Sequence, residues 1–236
     1  MKLGIFGKYF TKMAGIFNFK SRARMIETEM VLHILFVIGI TVESMSGALA
    51  AGKLKMDLVG VIFISLVTAI GGGSIRDVLF DNHPVSWVKY PEYIWILVVA
   101  SLVATRIPAF MQRFEKVFLI LDAVGLVVFS IIGTQAIMQL YDDMTLAVCG
   151  GVITGVFGGI LRDIFCNKIP LIFQKEVYAS VAIASSALYY VLVQFCGANE
   201  GLASFITLVF GTAFRLLGIY YKLSIPVFYF KERGQE

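Results

Sequence analysis

Apolar residues in this chain neither alternate nor recur on one face of a helix. They fall in long runs separated by short polar segments. The runs cover about 30–51, 57–79, 93–109, 117–140, 145–165, 177–195 and 202–221. A helix rising about 1.5 Å per residue needs about 20 residues to cross roughly 30 Å of hydrocarbon. The pattern therefore predicts an all-α membrane protein with seven transmembrane helices. The connection after the second run holds Pro84, Trp87, Tyr90 and Pro91, with Tyr93 and Trp95 just beyond; the aromatics suit the headgroup level and the prolines suit irregular backbone.

The polar positions repeat. Arg76 and Arg162, Asp77 and Asp163, and Pro84 and Pro170 are each 86 positions apart. The same shift pairs Gly39 with Gly125, Ser44 with Ser130, Gly47 with Gly133, Asp57 with Asp143, Thr68 with Thr154 and Lys89 with Lys175. Such agreement without a gap is the signature of a tandem repeat. The chain divides into an arm at 1–29, a first three-helix repeat at 30–115, a second at 116–201, and a seventh helix with a tail at 202–236. Three crossings are an odd number, so the second copy enters the membrane from the opposite face. The repeats are then inverted about a pseudo-two-fold axis in the membrane plane.

Composition agrees: 58% apolar and 15% charged residues, with a mean hydropathy of +0.84, exclude an ordinary soluble domain. Loops after the odd-numbered runs hold Lys53, Lys55, Arg106, Arg113, Lys116, Lys168, Lys175 and Lys222, whereas the opposite side holds Lys89 with Asp142, Asp143 and Glu200. The excess of Lys and Arg puts the C-terminus in the cytoplasm and the N-terminus outside. Six basic residues in the arm, Lys2 to Arg24, argue the other way. That arm holds Phe6, Tyr9, Phe10, Met13 and Phe17 at helical spacing, which fits a basic amphipathic helix on the lipid surface; a mobile basic tail is the equal alternative. Cys149, Cys166 and Cys196 lack metal or disulfide spacing and suit helix packing. No nucleophile elbow, P-loop or zinc motif is present, so no enzyme activity, cofactor, metal or nucleic-acid partner is expected.

Three consecutive glycines, Gly71, Gly72 and Gly73, each cost about 1 kcal/mol in helix propensity. With Gly155, Gly158 and Gly159 they predict that the second and fifth helices break and bare backbone groups to a substrate or ion pathway. The Arg-Asp pairs sit at membrane depth, where charges are paired or hydrated. Neighbours on a helix diverge, so the expected structural ion pairs are crossed, Arg76 with Asp163 and Arg162 with Asp77. Glu43 lies mid-span opposite Phe129 in the repeat; a proton or cation site and a hydrogen bond between helices are equal readings. Lys175 faces either the pathway or the headgroups. Asp122 is expected at the interface, and His33 in helix packing.

The segments HILFVIGITVE, SGALAAGK, TAIGGGSIRD, WVKYPEY, LDAVGLVVFSIIG, GVFGGILRD and IPVFY resemble those of bacterial inner-membrane proteins with two glycine-transporter domains. These are distant relatives of the trimeric intracellular cation channels. The resemblance spans about 30–230; known members start near Met30, so the arm departs from them. It implies a three-plus-three-plus-one arrangement in a homotrimer in the bacterial inner membrane, among lipids, with a pathway in each protomer. It implies glycine as the transported solute, with a monovalent cation such as potassium as the alternative. In the channel relatives a Lys-Glu-Val motif lies near the pathway, and Lys175-Glu176-Val177 matches it in residue type.

Overall fold

The computed structural model describes residues 30, 33–106, 114–173 and 177–223. The arm, Lys175 and the tail beyond 223 lie outside the described residues. The described chain is helical: α1 (His33–Lys53), α2 (Leu58–Leu79), α3 (Tyr93–Arg106), α4 (Phe114–Met138), α5 (Met144–Phe165), α6 (Tyr178–Gln194) and α7 (Glu200–Tyr220). A one-turn helix, Ser86–Lys89, and a 3-10 turn, Leu171–Phe173, occupy the connections.

Five of these helices, α1, α2, α4, α5 and α7, are long and apolar enough to cross a membrane. The other two, α3 with 14 residues and α6 with 17, are the third helices of their repeats; at 1.5 Å per residue they span about 21–26 Å. Large apolar side chains such as Val59, Phe63, Trp95, Phe205 and Val209 face outward, while Ser44, Ser65, Thr68, Ser130, Thr134 and Thr154 are buried. That distribution suits a chain whose outer solvent is lipid and whose helices meet on small residues. Most of these buried hydroxyls return to their own helices, as Thr68 donates to the Ile64 carbonyl at 2.6 Å and Thr154 to Gly150 at 2.7 Å, whereas Ser44 crosses to the Leu97 carbonyl of α3 at 2.8 Å.

The repeat is visible at the helix ends. Asp57 caps α2 by accepting from the Gly60 amide at 2.7 Å, and its counterpart Asp143 caps α5 through Leu146 at 2.8 Å. At the other ends Asp81 and Asn167 take positive φ, 53° and 52°. The amides of Asn82 and Lys168 then reach back to the carbonyls of Asp77 and Asp163, both at 2.8 Å, closing matched Schellman turns.

The glycines act differently from expectation. Helices α2 and α5 run unbroken through Gly71–Gly73 and Gly155–Gly159. What the missing Cβ atoms allow is a close crossing. A Cβ on Gly72 would overlap the Thr154 carbonyl, and one on Gly158 would overlap the Thr68 carbonyl. Gly47 sits on Ser65 and Thr68 of α2 as Gly133 sits on Gly150 and Thr154 of α5; Gly39 meets Phe129 as Gly125 meets Glu43. Each contact recurs with both partners exchanged between repeats, as a two-fold relation requires.

Candidate functional site

The α2–α5 crossing carries an arginine about one turn beyond each central glycine. Arg76 is 3% exposed and Arg162 fully buried. Each folds back onto the aspartate next to it. Arg76 donates to Asp77 Oδ1 from Nε (2.9 Å) and Nη2 (2.6 Å), and Arg162 donates from Nε to Asp163 Oδ1 at 2.9 Å. The crossed pairing expected from sequence is therefore corrected. Backbone directions diverge between neighbours, but the long arginine side chain reaches its neighbour's carboxylate beside the helix end.

At the first end, Asp77 also accepts from Asn82 Nδ2 (2.9 Å), the Ser86 amide (2.9 Å) and Ser86 Oγ (2.8 Å). It thereby pins the loop after α2 to the helix and leaves Arg76 Nη1 with one long contact, to Thr154 Oγ1 at 3.4 Å. This end opens into a vestibule of about 690 Å³, walled by His33, Arg76, Asn82, Tyr90, Tyr93 and Gln135 among others. Its depth is an inner cavity of about 20 Å³ at Gly73, Arg76, Phe129 and Thr154; the two spaces share Phe36, Arg76, Ser86 and Ile132. The outer volume is that of a small-ligand site, and the inner holds about one water.

His33, expected in helix packing, instead lines the vestibule with its Nδ1 2.7 Å from Tyr93 Oη. Gln135 donates to Glu200 at the start of α7. Neither partner is predictable from spacing along the chain.

At the second end the surroundings are acidic. Arg162 Nη1 donates to Asp122 Oδ1 at 2.8 Å and to Ser46 Oγ at 2.9 Å, and its guanidinium lies 4.6 Å from the Phe118 ring centroid. Asp122 is fully buried and, because α4 starts at Phe114, lies two turns inside the helix. Glu43, 3% exposed, lies in the same electrostatic neighbourhood.

Of the glycines predicted to bound a pathway, Gly73 lines the inner cavity. Gly72 and Gly158 form the crossing, Gly71 packs on Leu161, Gly155 on Leu126 and Ser130, and Gly159 beside Tyr178 and Arg162.

Comparison with known proteins bears on this arrangement. The sequence pattern of the Glycine transporter family matches residues 33–108 and 119–194. The chain is similar to the UPF0126 inner membrane protein YadS of Escherichia coli K12, at 38% identity over 207 residues, 87% of this chain and 100% of YadS. It is similar to a UPF0126 membrane protein of Vibrio cholerae at 36% identity, covering 84% of this chain and 82% of that protein. Among solved structures it resembles the trimeric intracellular cation channel orthologue of Rhodobacter sphaeroides, with TM-score 0.77 and 32% identity over 82% of this chain and 99% of that one. The Caenorhabditis elegans trimeric intracellular cation channel, 13% identical with TM-score 0.55, covers 86% of this chain and 99% of that one and shares the fold.

Proposed function

The chain belongs to the glycine transporter family, and from that premise we propose that it carries glycine inward across a bacterial inner membrane. The path lies within each subunit of a homotrimer. All seven helices cross, with α3 and α6 as the short pair, and the N-terminus is outside. The vestibule then faces the outer solution, since it is built from the start of α1, the ends of α2 and α4, and the start of α3.

The observation that carries this reading is the vestibule ending on Arg76 beside Gly73 at the helix crossing. Arg76 spends Nε and Nη2 on Asp77 and keeps Nη1 toward Thr154. A carboxylate entering the vestibule meets that donor, while the rings of Tyr90 and Tyr93 offer π faces to an ammonium group. The inner cavity, of about one water's volume, is the neck of that path. Gly71, Gly72, Gly155 and Gly158 set the crossing that bounds the neck, and Gly159 and Glu43 bound its continuation.

A second reading, conduction of potassium or another monovalent cation along the same path, is favoured by the channel structures at 32% and 27% identity. Uptake of radiolabelled glycine into liposomes holding the purified protein, with and without a potassium gradient, separates the two. Saturable glycine uptake supports the transporter. Collapse of the potassium gradient without glycine movement overturns it in favour of the channel.

A further inference from the structure

Because the repeats are related position by position, the two halves of the interior can be compared residue for residue. The inner cavity beside Arg76 and Gly73 is walled by Phe36, Phe129 and Ile132. Their counterparts beside Arg162 and Gly159 are Asp122, Glu43 and Ser46. Three apolar wall positions in one half are polar in the other, and all three polar ones are buried.

Charge in that second half is out of balance. The titratable and charged groups facing Glu43 are Asp122 from α4, Arg162 and Asp163 from α5, and Tyr178 from α6; Arg215 of α7 stands behind Tyr178, its guanidinium 4.7 Å from that ring centroid. Asp163 accepts from Arg162 at 2.9 Å, and Asp122 Oδ1 accepts from Arg162 at 2.8 Å and from Tyr178 Oη at 3.4 Å. Glu43 Oε2 and Asp122 Oδ2 are buried without a hydrogen-bond partner. A buried anionic oxygen without a donor is costly, and adjacent carboxylates cannot both stay ionised cheaply. A protonated carboxyl removes one charge and supplies one donor.

The space also selects the ligand. Glu43 Oε1 is pressed against the backbone of α4, so closely that a Cβ on Gly125 would overlap it. No three described His, Cys, Asp or Glu side chains converge as a metal ion needs. A proton needs neither room nor further ligands.

We propose that Glu43 holds one exchangeable proton in the half-site beside Asp122 and Arg162, and that this proton is the ion whose movement accompanies solute passage. The exchange makes and breaks only a carboxyl O–H bond, taking a proton from water and returning it to water. The site stands on its own geometry; its link to solute passage rests on the transport reading above.

The test uses the full chain in lipid nanodiscs and infrared spectroscopy. The wild type shows a protonated-carboxyl stretch near neutral pH that shifts in D2O. Glu43→Gln, checked for an unchanged size-exclusion profile, loses it, and Asp122→Asn moves it. A band identical in wild type and Glu43→Gln overturns the site, and a band displaced by titration with potassium overturns the choice of a proton. In liposomes holding a pH-sensitive dye, wild type moves protons with glycine, and Glu43→Gln loses that proton movement. Proton movement unchanged in Glu43→Gln overturns the link. Absence of glycine movement in wild type sinks the transport reading instead, and the infrared band still decides the site.

Discussion

Arg162 is the most constrained charge among the described residues. It is fully buried, and its fork is divided between Asp163, Asp122 and Ser46. Replacing it with Met leaves buried carboxylates without their cation, so Arg162→Met should destabilise the fold by about 3–5 kcal/mol, read as a lower thermal midpoint in detergent. Arg76 differs because Asp77 has Asn82 and Ser86 as further donors. Arg76→Lys should keep the fold and lower glycine uptake, since an ammonium lacks the second arm that faces Thr154. At this scale the sequence marked both arginines and aspartates but misassigned their partners. Spacing along a helix describes where Cβ atoms point, not how far a guanidinium can turn back. Asp122 was misplaced for a related reason: α4 begins before 117, at Phe114, so Asp122 lies two turns inside the helix and packs against the other helices.

Among the elements, the α2–α5 crossing decides most. Gly72 and Gly73 are adjacent in sequence and opposite in surroundings. A Cβ on Gly72 overlaps the Thr154 carbonyl, whereas one on Gly73 meets only Arg76 Nη2 at 4.0 Å. Gly72→Ala should therefore cost about 1–3 kcal/mol through overpacking, and Gly73→Ala should leave the thermal midpoint unchanged or raise it. The capping aspartates provide a matched pair. Asp57→Ala and Asp143→Ala each remove one hydrogen bond at an exposed helix start, and each should cost about 1 kcal/mol. The repeat made these caps legible, because polar residues that recur at one offset at the start of an apolar run have few other uses. The glycine triplet was less legible. A run of glycines is consistent with a helix that opens and with a helix another backbone approaches, and only the neighbour at Thr154 and Thr68 distinguishes them.

The described helices form two family-pattern repeats joined through reciprocal contacts, with α7 packed against the second. In the proposed topology, with all seven helices crossing, the α1–α2 and α4–α5 loops lie on opposite faces of the membrane. With the exposed Cys149 and Cys196 replaced by Ser, Lys55→Cys should be labelled by an impermeant thiol reagent only from the cytoplasm and Asp142→Cys only from outside. The repeat was readable from the constant offset of its polar positions, and the family pattern matches both copies, at 33–108 and 119–194. The vestibule was not, because it gathers His33, Asn82, Tyr93 and Gln135 from four separate segments, and no spacing links them. The central claim is that solute passes the neck beside Gly73. Its most direct test is glycine uptake by liposomes holding Gly73→Leu, in which the new side chain enters the inner cavity and leaves the crossing itself intact. The account predicts saturable uptake by the wild type and background uptake by Gly73→Leu with the same size-exclusion profile. Undiminished uptake by Gly73→Leu would place the pathway elsewhere.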